Sequence, residues 1–108
     1  MMQRVGMLLR VDPAKLDEYR RIHAEVWPEL LAELKAAGMR NYSLWLHPSG
    51  MEFGYLECED WQAVCDYLAT SEVHTRWQEF MRNYLQTDPD DSAGGQPVTL
   101  LEQVFMLE

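Results

Sequence analysis

The stretch NYSLWLHPSGMEFGYLE, residues 41–57, decides the fold that the sequence predicts. Residues 41–46 and residues 51–57 are alternating runs rich in aromatic and aliphatic side chains, which is typical of β-strands. Residues 47–50, HPSG, join the two runs and have the composition of a turn. We therefore predict a β-hairpin near the centre of the chain.

A long helical segment is predicted before this hairpin. Asp12 followed by Pro13 is a common entry signal, because the Asp side chain caps the helix and Pro suits its first position. Apolar residues then recur at three- and four-residue steps until Gly38 ends the segment. Pro28 lies inside it, and its ring and missing N–H predict a kink or a break into two helices.

The flanking segments complete the predicted architecture. Residues 3–10 alternate as a strand, residues 60–70 and 71–85 have helical spacing, and a polar loop at 87–97 precedes an apolar run at 98–107 with strand propensity. The resulting order β, α, β, β, α, β is that of the ferredoxin-like α+β sandwich of the dimeric α/β barrel type. In that fold, helices cover one face of an antiparallel sheet.

The second face of this sheet also carries apolar side chains. In the first run of the hairpin, Tyr42 and Leu44 point to one face and Trp45 points to the other. A sheet that is apolar on both faces needs cover on both, and the helices supply it on one. We therefore expect a homodimer that buries the outer face.

Composition limits the classes of function. The 108 residues suffice for one domain, residues 1–108, and are too few for two. Eighteen acidic against nine basic residues give a net charge of −9, which argues against binding to nucleic acid or anionic lipid. The N-terminal apolar run is too short for a signal peptide or a membrane span, so we expect a cytoplasmic protein with no membrane partner.

Two polar side chains interrupt the apolar stripe of the first helix. Tyr19 and His23 lie one turn apart and therefore stack on the inward face. They are either core groups with hydrogen-bonding partners or groups that line a ligand pocket, and the spacing alone does not decide. Histidine titrates near neutrality, as acid–base catalysis requires.

Other residues with chemical potential are weighed in the same way. Aromatic rings with a polar edge suit the alternating faces of a sugar ring, although each is more often part of a core; they are Trp27, Tyr42, Tyr55 and Trp77. His47 and His74 are predicted to be exposed and without function. Among the carboxylates of the first helix, Glu29 beside Pro28 is the one that could assist His23.

The sequence lacks the motifs of the common cofactor-dependent mechanisms. It contains no phosphate-binding glycine loop, no zinc-ligand spacing and no nucleophile elbow, so we expect no metal and no cofactor. Cys58 and Cys65 form no CxxC motif and are interpreted as reduced, structural thiols. Simple proton transfer by side chains remains available.

Two consecutive segments carry a family resemblance. YRRIH at residues 19–23, followed by VWPEL at 26–30, closely resembles the corresponding region of the L-rhamnose mutarotases, and the similarity extends over essentially the whole chain. The resemblance implies a cytoplasmic homodimer of ferredoxin-like subunits that interconverts the α and β anomers of L-rhamnose without a cofactor. Its substrate would be a monosaccharide.

The resemblance also implies roles for individual residues. The proton donor falls on His23, and sugar-binding positions fall on Tyr19, Tyr42 and Trp77. The family often has a second tryptophan directly after the first, whereas this chain has Gln78, whose amide could hydrogen-bond a sugar hydroxyl. A related 6-deoxy sugar such as L-fucose therefore competes with L-rhamnose as the substrate.

Two alternative functions remain open from the sequence. Cofactor-free monooxygenases and related small dimeric α+β barrels share the predicted architecture, but their substrates favour a mostly apolar pocket. A non-catalytic sugar-binding module of the same fold would bind a metabolite without changing it. The polar groups of Tyr19, His23 and Tyr42 favour a sugar over an apolar substrate.

Overall fold

Four antiparallel strands form one sheet in the order β2-β3-β1-β4. They are β1 at Gln3–Arg10, β2 at Arg40–Leu46, β3 at Met51–Cys58 and β4 at Thr99–Leu101. The computed structural model describes residues 2–86 and 98–107. β1 and β3 pair along their full lengths, from Gln3 opposite Cys58 to Arg10 opposite Met51, and form the centre of the sheet.

Four helices lie on one face of this sheet. They are α1 at Leu16–Ala24, α2 at Pro28–Ala37, α3 at Trp61–Ala69 and α4 at Glu72–Met81. The predicted α+β architecture, with its ferredoxin-like order of strands and helices, is confirmed. No helix among the described residues is long and apolar enough to cross a membrane.

Local sequence signals set the helix boundaries. The Asp12 side chain accepts a hydrogen bond from the Ala14 N–H, and a short 3₁₀ turn at Pro13–Lys15 leads into α1. The predicted break at Pro28 is confirmed, because α1 stops at Ala24 and α2 starts at the proline. Gly38 ends α2 with φ of 105°, a left-handed conformation that glycine adopts without strain.

The core lies between the inner face of the sheet and the helices. Alternate residues of β1 point into it, namely Val5, Met7 and Leu9, as the two-residue period predicts. Leu56 of β3 packs in the same cluster and is fully buried. The outward side chains of the sheet remain uncovered in the single chain, and Trp45 is 66% exposed.

A bulge in β2 sets the direction of its side chains. Arg40 lies opposite Glu57 and Ser43 lies opposite Tyr55, so β2 contains one residue more than β3 over this interval. Asn41 takes up the irregularity with φ of 52°, which asparagine tolerates better than most residues. Tyr42, within the bulge, and Leu44, after it, line the cavity beneath the helices, and Trp45 faces outward, as predicted.

The C-terminal strand is shorter than predicted. The prediction for 98–107 was wrong beyond residue 101, because strand pairing with β1 covers Thr99–Leu101 and residues 102–107 form no strand. Residues with strand propensity form a strand only where another strand offers hydrogen bonds to their backbone, and pairing with β1 ends at Leu101. Val104, Phe105 and Leu107 are consequently exposed. The predicted loop at 87–97 lies outside the described residues.

Gly50 at the hairpin turn is expected to be essential for stability. Its φ is 96°, and a Cβ atom at this position would collide with the carbonyl oxygen of Val11. The backbone of Val11 is held close by a hydrogen bond, since its N–H donates to the Gly50 carbonyl at 2.7 Å. Gly50→Ala should therefore lower the free energy of unfolding by about 2 kcal/mol or more, as measured by urea denaturation. Gly38→Ala is the control, since Gly38 also has a positive φ, of 105°, but its Cβ would meet only Val64 at 3.9 Å, so this variant carries the backbone strain without the collision. Equal losses in both variants would contradict the steric explanation.

Candidate active site

A cavity of about 470 Å³ opens between α1, α2, α4 and the inner face of the sheet. Its volume falls in the range of about 300–1,000 Å³ that is typical of small-molecule sites. Its polar and aromatic lining comes from Tyr19, Arg20 and His23 on α1, Tyr42 on β2, Glu52 on β3 and Trp77 on α4. Leucine side chains from α2 and β2 form much of the remaining wall.

A narrower inner space of about 90 Å³ shares these residues and extends to His74 and Gln78 on α4. The Gln78 amide Nε2–H donates to His74 Nε2 at 3.2 Å, so the His74 ring accepts at that nitrogen. The prediction that His74 is exposed was wrong. It is 7% exposed because it lies on the face of α4 that packs inward with Trp77 and Met81.

His23 is held in one orientation by its neighbours. Its Nδ1–H donates to the carbonyl oxygen of Tyr19 at 3.0 Å, one helical turn earlier. Its ring lies 4.2 Å from the Tyr19 ring and meets Trp77 at 5.6 Å in an edge arrangement. Because the proton is fixed on Nδ1, the neutral ring has its lone pair on Nε2. Burial lowers the pKa of His23, so the ring is neutral near pH 7.

Glu52 is a site residue that the sequence analysis missed. It is 2% exposed, and the Tyr19 hydroxyl donates to its Oε1 at 2.8 Å. Burial raises the pKa of Glu52 to about 7, although the hydrogen bond from Tyr19 opposes this rise. The alternation of β3 contained the signal, because Glu52 has the same parity as Leu56 and Cys58, which face the core.

The two tyrosines of the cavity remain protonated. Burial and the nearby Glu52 carboxylate raise the pKa of Tyr19, and desolvation of the phenol followed by the charge of Glu52 raises that of Tyr42. Protonated phenols donate hydrogen bonds. The one hydroxyl proton of Tyr19, on α1, is donated to Glu52, so toward a ligand its oxygen can accept, whereas the Tyr42 hydroxyl, on β2, can donate.

The remaining aromatic candidates lie outside the cavity. Trp27 stacks on Phe80 at 5.8 Å and meets the Trp77 ring at 5.1 Å, so it supports Trp77 from behind. Tyr55 lies on the outer face of the sheet, where its hydroxyl donates to Glu57 at 2.6 Å. Glu29 is exposed and does not line the cavity.

The five residues to which the family resemblance gives roles all line the inner space. They are Tyr19, His23, Tyr42, Trp77 and Gln78. His47 lies in the exposed hairpin turn, where its ring bonds to Ser49. Cys58 and Cys65 are free and buried. Within residues 2–86 and 98–107, no three His, Cys, Asp or Glu side chains are grouped closely enough to hold a metal ion.

This arrangement is suited to proton transfer on a small polar molecule. A neutral imidazole offers a basic nitrogen, and a carboxyl group that titrates near neutrality can donate or accept a proton. Two phenols can orient hydroxyl groups of a ligand, and an indole offers a flat apolar surface. These groups line a cavity whose remaining wall is mostly apolar.

Comparisons with known proteins point to one family. A family model described as L-rhamnose mutarotase matches residues 4–107. An L-rhamnose mutarotase from Oceanobacillus iheyensis is 39% identical over 99% of this chain and 100% of its own length. One from Mannheimia succiniciproducens is 38% identical with the same coverage.

Solved structures give a consistent result. The crystal structure of an L-rhamnose mutarotase from Formosa agariphila is similar, with a TM-score of 0.80 and 25% identity over 98% of this chain and 99% of that one. Tetracenomycin F2 cyclase from Streptomyces glaucescens has a TM-score of 0.61 and 21% identity over 98% and 97% of the two chains. At that identity the second likeness concerns the fold alone.

The buried carboxyl group is expected to make stability depend on pH. An acid whose pKa is raised on folding stabilises the fold below its unfolded pKa of about 4.5, and this contribution is lost as the pH rises through about 7. Glu52→Gln keeps an acceptor for Tyr19 without the charge. Between pH 5 and pH 9, its stability relative to the unaltered protein should increase by about 2 to 3 kcal/mol in urea denaturation.

Glu25→Gln is the matched control for this experiment. Glu25 is exposed and lies outside the cavity, so its replacement should leave the pH dependence of stability unchanged. A difference between the Glu52→Gln variant and the unaltered protein that stays constant from pH 5 to pH 9 would show that folding does not raise the pKa of Glu52.

Proposed function

This chain belongs to the L-rhamnose mutarotase family, and we propose that it interconverts the α and β anomers of L-rhamnose through proton transfers at His23. The observation that carries the proposal is the placement of His23 in a cavity beside Tyr19, Tyr42 and Trp77. The convergent polar groups favour a monosaccharide over the apolar substrates of cofactor-free monooxygenases.

Anomer interconversion requires two proton movements at the sugar. The anomeric hydroxyl must lose a proton and the ring oxygen must gain one, so that the ring opens to the aldehyde and recloses on the other face. General acid–base catalysis accelerates each transfer by about 10²- to 10⁴-fold. No covalent intermediate with the protein is needed.

His23 has the geometry for one of these transfers. Its Nδ1–H is committed to the Tyr19 carbonyl, which leaves Nε2 to exchange a proton with the sugar. A neutral imidazole first accepts the proton of the anomeric hydroxyl as the ring opens. It then acts as the proton donor when the ring recloses.

The other predicted residues bind the sugar in this proposal. The hydroxyls of Tyr19 and Tyr42 orient the substrate by hydrogen bonds, and the Trp77 ring covers an apolar face of the pyranose. The Gln78 amide, positioned by His74 at 3.2 Å, offers a hydrogen bond to a sugar hydroxyl. Because an amide stands here in place of the second tryptophan of many relatives, residue 78 influences whether L-rhamnose or another 6-deoxy sugar, such as L-fucose, is the preferred substrate.

We further propose that the enzyme works as a cytoplasmic homodimer. The outer face of the sheet carries Trp45 and Phe53, which are 66% and 41% exposed, and Leu101 lies on the same face opposite Gly6. Exposed apolar residues of the C-terminal segment, Val104 and Phe105, follow β4. A second copy of the chain would remove this apolar surface from water.

Saturation-transfer NMR tests the activity and the role of His23. The protein should accelerate exchange between the two anomeric signals of L-rhamnose above the buffer rate, and parallel measurement on L-fucose identifies the better substrate. His23→Gln should lower the rate by about a hundredfold or more, because glutamine cannot carry the proton. The exposed His47 gives the control variant, His47→Gln, which should retain the full rate.

A thermal melt of both variants separates catalysis from stability. A destabilised His23→Gln protein that retains its exchange rate would indicate a core histidine without a catalytic role. Absence of acceleration on either sugar by the unaltered protein would reject the proposed function.

Sedimentation equilibrium tests the proposed dimer. The chain has a mass of 12.7 kDa, and the proposal predicts twice that value at micromolar concentration. Phe53→Lys places a charge on the outer face and should yield monomers. Tyr67→Lys is the control, since Tyr67 is similarly exposed, at 39%, but lies on α3 in the helical layer. Dissociation of both variants, or of neither, would contradict the proposed interface.

A further inference from the structure

We propose that Glu52 is the second catalytic group, the acid that protonates the ring oxygen of the sugar while His23 removes the proton of the anomeric hydroxyl. This inference rests on the proposed function and names the partner that His23 requires.

The first observation is that a carboxyl group faces the cavity from the centre of the sheet. Glu52 lies on β3 opposite Leu9 of β1 and Leu46 of β2, and its side chain is 2% exposed. A buried carboxyl group is costly unless it has partners, and a purely structural role would be filled better by an apolar residue. The position therefore suits a functional group.

The second observation is that one oxygen of Glu52 remains available to a ligand. Oε1 accepts from the Tyr19 hydroxyl at 2.8 Å, while Oε2 has no hydrogen-bond partner among the described residues. None of the buried polar side-chain atoms described in the structure lacks a partner, so Oε2 is accessible from the cavity. It can bond to a sugar oxygen without breaking the bond to Tyr19.

The third observation is that Tyr19 lies between Glu52 and His23. Its ring contacts the His23 ring at 4.2 Å, and its hydroxyl bonds to Glu52. Both ionisable groups thus line the same cavity and are held by the same residue, Glu52 through its hydroxyl and His23 through its backbone carbonyl. A sugar in the cavity can meet the imidazole with one oxygen and the carboxyl group with another.

The protonation states at rest agree with these roles. The groups that face Glu52 are Tyr19 and His23 from α1 and Tyr42 from β2, and all three are uncharged near neutrality. Arg20 of α1 also lines the cavity, but its guanidinium is half-exposed and pairs with Asp17 at 2.9 Å. Burial therefore dominates, and Glu52 has a pKa of about 7 and exists partly as the neutral acid. A neutral acid and a neutral base therefore coexist in the cavity.

The step balances in atoms and electrons. His23 Nε2 takes the proton from the hydroxyl on C1, and the electron pair of that O–H bond forms the carbonyl as the bond between C1 and the ring oxygen breaks. The ring oxygen takes the proton of the Glu52 carboxyl group. After rotation about the C1–C2 bond, the ring hydroxyl attacks C1, the imidazolium returns its proton to the carbonyl oxygen, and the carboxylate recovers its own.

The pH profile of anomer exchange tests this inference. The unaltered protein should lose activity above pH 7, as Glu52 deprotonates, and on the acidic side as His23 becomes charged. Glu52→Gln keeps the acceptor for Tyr19 but cannot donate, so its rate should fall by about a hundredfold and the alkaline limb should disappear. Glu25→Gln, an exposed control near His23, should keep both the rate and the limb.

The Tyr19→Phe variant tests the pKa of Glu52 through the pH profile, which a purely structural role of Tyr19 would not change. The hydrogen bond from Tyr19 lowers the pKa of Glu52, so Tyr19→Phe should move the alkaline limb to higher pH even if the rate also falls. An unaltered alkaline limb in Glu52→Gln, or a rate within threefold of the unaltered protein, would overturn the assignment. In both cases the unaltered protein would still accelerate anomer exchange. A wrong assignment of Glu52 is thereby distinguished from a wrong proposed function, for which the unaltered protein would show no acceleration.

A titration without turnover provides an independent test. The ¹³C resonance of the Glu52 carboxyl group, assigned by its loss in Glu52→Gln, should titrate near pH 7 and shift its midpoint when L-rhamnose is added to saturation. A titration curve that is identical with and without the sugar would show that the carboxyl group does not contact it, and would overturn the inference independently of any rate.

Discussion

The hydrogen bond from Tyr19 to Glu52 is the interaction on which the site depends. It joins α1 to the central strand β3 across the core, and both of its groups are buried. A lone phenol or carboxyl group would be costly at this depth, so each satisfies the other. The same tyrosine accepts the His23 Nδ1–H at its backbone carbonyl. Tyr19 therefore fixes the position of the Glu52 carboxyl group through its hydroxyl and the tautomer of the His23 imidazole through its backbone carbonyl.

The break in the helix at Pro28 makes space for the cavity beside the Tyr19–Glu52 hydrogen bond. An uninterrupted helix from Leu16 to Ala37 would cross the sheet along one line. The chain instead ends α1 at Ala24 and starts α2 at the proline, which allows the two segments to lie on different sides of the cavity. Trp27, in the connecting segment, packs on Phe80 and supports Trp77 of α4. The proline that breaks the helix therefore also helps to position the aromatic side chains that line the site.

Much of this architecture could be predicted from local patterns, because they act through the chain's own backbone. The alternation of β1, the Asp12 cap, the break at Pro28 and the left-handed Gly38 each depend on neighbouring residues alone. The C-terminal strand was predicted too long because pairing requires a partner that the sequence does not display. His74 was predicted exposed because a helix start says nothing about which face packs inward.

The candidate site was predictable to the extent that its residues stood out from an apolar pattern. Tyr19 and His23 were visible as polar groups on an inward stripe, whereas Glu52 was hidden within a strand of mixed polarity. Its partner Tyr19 is 33 positions away in sequence, a separation that only the folded chain brings within hydrogen-bonding distance. The bulge at Asn41 belongs to the same class, since an irregular register is settled by pairing between strands.

An uncharged sugar places a particular demand on such a cavity. The net charge of −9 gives this protein no electrostatic means of attracting a neutral substrate, and a permanently ionised group in the cavity would add a desolvation cost at every binding event. A neutral imidazole beside a carboxyl group that is partly the neutral acid lowers that cost in the resting state. In the proposed reaction, charge develops only when the sugar ring opens, as an imidazolium at His23 and a carboxylate at Glu52. In a mostly apolar cavity their attraction is stronger than in water, so the burial that favours the neutral forms of both groups at rest would also stabilise the ion pair of the proposed reaction once the protons have moved.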